Sequence, residues 1–158
     1  NDLVNFIRSR EYYFYFCFSN ISEEGNMIKQ DYLVRMIQEL ISLIARAILD
    51  RKKIRQQDWT EYDLLTRRIL GFPVEELANM TAQELIDRYD HEDDKIGKIE
   101  LASVYLLKFS EEIEDDVVLK SKLRQDGIQL LKYVQKVDTD FSVQRDYLIR
   151  MLETNSLR

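Results

Sequence analysis

From Leu33 onward apolar residues return every three or four positions, and this spacing constrains the fold more than any other feature. Leu33, Ile37, Leu40, Ile44 and Ala47 are flanked by Met36, Ile41 and Ile48. They put a wide apolar stripe on one face of a helix expected from Gln30 to Lys53. The period resumes downstream. Trp59, Tyr62, Leu65 and Ile69 form a second stripe, and Leu85, Ile86 and Tyr89 a shorter one. Ile96, Ile99, Ser103, Leu106 and Ile113 follow, with Ala102 and Phe109 beside them. Leu119, Leu123, Gly127, Leu130, Val134 and Val137 form the next stripe, and Phe141, Tyr147, Leu148 and Met151 the last. One Pro and four Gly in 158 residues leave little room for the turns of a many-stranded sheet. The expected fold is all-α: a helical bundle, or a short tetratricopeptide-like right-handed stack, of about five to seven helices.

Local signals mark where these helices start and stop. Asp58-x-x-Glu61 has residues suited to a capping box, and Thr81-x-x-Glu84 is a full one. Gly71 suits a left-handed C-terminal position, Pro73 opens a new turn, and Val74 to Asn79 reads as a short helix. Asp140-x-x-x-Gln144 loosely caps the final helix. Gly127 lies inside an apolar stripe, where Gly costs about 1 kcal/mol relative to Ala. Close approach of a neighbouring backbone is its expected compensation. Small residues at Ala102 and Gly127 fit two long antiparallel helices, but no internal period of roughly 34 residues is visible.

Composition narrows the function. The net charge of −6 disfavours general nucleic-acid affinity, which needs a positive face. The single Cys, Cys17, excludes an intramolecular disulfide and a thiolate zinc cluster. No run reaches the roughly 18 to 20 apolar residues that span a bilayer. Cytoplasm is therefore the expected compartment, with no membrane and no nucleic acid as partner.

Residues 1–26 read differently from the rest. Tyr12 to Phe18 are aromatic at every position but Cys17, with neither a 2-residue nor a 3.6-residue period. Either this run is a buried element docked on the helical body, or Met27 is the natural start. Glu23-Glu24-Gly25 requires purine-rich codons, the composition of a bacterial ribosome-binding site, and this favours Met27. Domain organisation is then an aromatic segment, 1–26, and a single helical domain, 27–158. The run from Met27 to Leu40, with its Gln30-Asp31-Tyr32 and Arg35-Met36-Ile37, resembles the opening of a bacterial family described only as a domain of unknown function, number six-four-eight-three. The phrase from Leu64 to Leu77 is similar to that family as well. The resemblance implies an intracellular bacterial helical protein with Met27 as its start. It brings no activity and no catalytic residues.

Chemistry-bearing patterns are few. Asp87 and His91 stand four apart, with Glu84, Asp93 and Asp94 near, and such groups can hold a metal on a helix. His91 is the only His, and a solvated acidic loop accounts for the run as well. There is no nucleophile elbow and no Gly-rich phosphate loop. The expected function is a non-enzymatic helical protein–protein interaction module that uses no cofactor. Its partner is another protein or a second copy, as a homodimer through the first helix, and its surface is built from Tyr32, Arg35, Met36 and Trp59. The alternative is a metal-dependent or nucleotide-processing enzyme using Glu84, Asp87 and His91. A third option, a nucleic-acid-linked regulator, would use Arg51 to Arg55 with Arg67 and Arg68.

Overall fold

A computed structural model describes residues 25–51, 55, 57 and 59–155. The aromatic run at 12–18, Cys17, Lys52, Lys53 and Asp58 lie outside them. By compactness the chain divides into two units, Asn1–Met36 and Ile37–Arg158.

Helix α1 (Gly25–Asp50) buries Leu33, Met36, Ile37, Leu40, Ile41 and Ile44 of the stripe read from the sequence, while its last two members, Ala47 and Ile48, are half-buried. Helix α2 (Thr60–Leu70) ends at Gly71, whose φ of 87° is the left-handed cap expected there, with its N–H donating to the Arg67 carbonyl at 2.9 Å. The short helix at Val74–Asn79 is a 3₁₀ helix preceded by Pro73. Helix α3 (Ala82–Tyr89) starts with the reciprocal capping box. Glu84 N–H donates to Thr81 Oγ1 at 3.1 Å and Thr81 N–H to Glu84 Oε2 at 2.9 Å. Helices α4 (Lys95–Glu112), α5 (Val117–Val137) and α6 (Val143–Asn155) follow. Among the described residues every regular element is a helix, which is the all-α class expected.

Helix α4 is central to the second unit. It packs against α2, the 3₁₀ helix, α3 and, most extensively, α5. Its residues from Ile99 to Lys108 are all buried, including Glu100, Ser103 and Lys108. One stripe does not describe such a helix, since apolar cover on every side buries every side. Ile113, expected on the α4 stripe, is instead its extended C-cap. A helix that touches four others describes a bundle, and the two-by-two stacking of tetratricopeptide units does not follow from it. The α4–α5 contact is close at Gly127. A Cβ there would lie 2.7 Å from Leu107 Cγ and 3.2 Å from the Ser103 carbonyl. At the far end of the α5–α6 hairpin, Arg124 Nη2 donates to the Leu152 carbonyl at 3.0 Å. The α3–α2 joint is fixed by Tyr89, whose hydroxyl donates to the Leu70 carbonyl at 2.8 Å. Burial pushes that phenol up to about 12.

No helix among the described residues is long and apolar enough to cross a membrane.

Candidate interaction surface

The corner between α5 and α6 is organised by one buried cation. Asp138, just after α5, accepts the Asp140 N–H on Oδ1 at 3.0 Å and so tightens the loop. Ser142 then accepts the Arg145 N–H on Oγ at 3.2 Å, in the manner of an N-cap. The helix therefore starts two residues later than the Asp140 signal suggests, and Arg145 points inward. It is 1% exposed. Its Nε donates to Gln135 Oε1 at 2.6 Å, and its Nη2 to the Asp140 carbonyl at 3.1 Å. Nη1 reaches Asp138 Oδ2 at 3.0 Å and Glu100 Oε1 at 3.2 Å. Paired and hydrogen-bonded in this way, a buried charge is tolerable. Burial pushes the Glu100 carboxyl above the usual carboxylate range, and the Arg145 guanidinium opposes that rise.

The other side of this corner faces water. Phe141 is 71% exposed, Val143 67% and Tyr147 52%. Val143 and Tyr147 are four apart and adjoin on one face of α6. The sequence places Phe141 and Tyr147 with Leu148 and Met151 on a buried stripe. Instead the buried face is Arg145, Leu148, Ile149 and Leu152, and Met151 is half-buried. The four side-chain bonds of Arg145 to α4, α5 and the loop form with this face turned in.

The residues expected at an interface divide. Trp59, 1% exposed, is a core residue, edge-to-face with Tyr105 at 5.5 Å and with Tyr62 at 6.0 Å. Met36, 2% exposed, is interior as well. Both leave the expected surface, because large apolar side chains on a helical stripe gain more from burial than from waiting for a partner. Tyr32 is half-buried and Arg35 exposed, three apart on α1.

The Glu84, Asp87 and His91 alternative does not assemble. Glu84 closes the capping box, and Asp87 Oδ1 accepts from Gln83 Nε2 at 2.9 Å. Because α3 ends at Tyr89, His91 sits in the following turn and not one helical turn beyond Asp87. Among the described residues no three His, Cys, Asp or Glu side chains converge as metal ligands would. The acidic stretch is answered locally, Lys98 pairing with Glu92 and, at 3.5 Å, with Asp94.

Sequence reasoning passed over Arg145 and Glu100. The local signal was Ser142 three residues before Arg145 with Asp138 upstream, but nothing local points to Glu100, 45 positions away.

Compared with protein-family models, curated proteins and solved structures, the chain matches none.

Proposed function

We propose that this chain is a non-enzymatic protein–protein interaction module that engages another protein at the α5–α6 corner, through Phe141, Val143 and Tyr147. The observation that carries the reading is the pairing of two properties in one place. Three apolar side chains are more than half exposed, on a loop and first helical turns that Arg145 ties to Asp138 and to the Asp140 carbonyl. A preformed surface loses little conformational freedom on binding, and aromatic side chains are favoured at the centres of interfaces. The net charge of −6, which disfavours nucleic acid, agrees with a protein partner.

Replacing Phe141 by a photo-cross-linking amino acid in cells that make the protein tests the proposal. Position Leu64, exposed on α2, serves as control. A discrete adduct should form from position 141 and not from 64. Val143→Ser with Tyr147→Ser should abolish it while leaving Tm unchanged. An adduct of twice the chain's mass identifies the partner as a second copy. No adduct from 141, or the same adducts from both positions, overturns the proposal.

A further inference from the structure

A second enclosed cation lies on the opposite half of α4. Lys108 is 1% exposed, and its Nζ stands 5.0 Å from the Trp59 ring centroid, 5.2 Å from that of Phe109 and 5.6 Å from that of Tyr105. Glu112 Oε1 is 3.1 Å from Nζ and Asp63 Oδ1 4.0 Å. The Tyr105 hydroxyl donates to that same Asp63 oxygen at 2.8 Å, which fixes both groups. The rings brace one another edge-to-face, Trp59 with Tyr105 and Tyr105 with Phe109. Tyr105, Lys108, Phe109 and Glu112 follow helical spacing along one face of α4, while Asp63 belongs to α2 and Trp59 immediately precedes that helix. Aromatic faces and carboxylates both attract positive charge. Packing alone would be served by a methionine of similar length.

We infer that Trp59, Tyr105 and Phe109, together with Asp63 and Glu112, form an alkylammonium-binding box whose resident ligand is the chain's own Lys108. The box recognises the ammonium head through its charge, and the lysine stem is the tether. Cutting the tether leaves the site intact for a free cation. Lys108→Ala removes the atoms from Cγ to Nζ, which together are a propylammonium ion.

The test is thermal unfolding of Lys108→Ala with n-propylammonium chloride, against sodium chloride at equal ionic strength and against 1-propanol as the uncharged analogue. Lys108→Ala should melt below the parent chain. Propylammonium should raise its Tm saturably, leaving the parent chain and Gly127→Ala unmoved. Trp59 is the only tryptophan, so its emission should shift with the same saturation in Lys108→Ala alone. If Lys108→Ala does not fold in buffer, the amine is present during refolding from urea, where recovered structure supports the box and none overturns it. Equal rescue by 1-propanol reduces the site to an apolar void and overturns the inference, as does no response to the amine.

Discussion

Arg145 and Glu100 hold opposite charges in the interior, and the balance between them has a measurable pH signature. Burial outweighs the guanidinium's attraction, so the folded chain holds a proton on Glu100 more tightly than an exposed glutamate does. A carboxyl raised in this way favours the folded state most at low pH, where it is protonated in the folded and the unfolded chain alike. That contribution is lost as pH rises from the ordinary glutamate value through the raised one, because the folded chain must then bury a charge that the unfolded chain leaves in water. Glu100→Gln cannot titrate. The stability of the parent chain relative to Glu100→Gln should therefore fall as pH climbs from below the ordinary glutamate range, then level off. Urea midpoints for both chains across that range give the slope, and a rise with pH would mean that Arg145 prevails over burial. Lys108 and Trp59 make a related point. A lysine taken alone suggests solvent, whereas here the Trp59 ring covers the ammonium and the Glu112 and Asp63 carboxylates balance its charge.

Among the elements, those defined within one or two turns were legible. The Thr81–Glu84 box, the Gly71 cap and the α1 stripe from Leu33 to Ile44 depend on residues at most a few positions apart, and the structure has them as expected. The α6 face was not legible, because Tyr147, Leu148, Ile149, Met151 and Leu152 crowd one short helix and two rotations satisfy the periodicity. Leu148, Ile149 and Leu152 turn inward on the face that also carries Arg145. Gly127 is the element-level test. Alanine there would gain about 1 kcal/mol of helix propensity. Its methyl would meet Leu107 at 2.7 Å and the Ser103 carbonyl at 3.2 Å, and overpacking of that kind costs about 1–3 kcal/mol. The contact includes backbone, so the cost should prevail. Gly127→Ala is expected to lower Tm by roughly 3 °C in calorimetry. An unchanged or higher Tm would mean that Leu107 yields freely.

At the scale of the second unit, α4 is the element that α2, the 3₁₀ helix, α3 and α5 cover. Amides buried on every side open only when the surrounding helices come apart. Hydrogen exchange should be slowest from Ile99 to Ser110 and faster in α6, and equal rates in the two would remove α4 from its central place. The all-α class was determined by sequence alone, because helix periodicity, caps and breakers act through neighbours in the chain. The surface at Phe141, Val143 and Tyr147, the burial of Arg145 and the box around Lys108 were decided only by tertiary structure. Their partners are remote: Glu100 lies 45 positions from Arg145, and Asp63 lies 42 from Tyr105. A charge can enter the interior only where folding brings its counter-charge alongside, and no local pattern records that meeting.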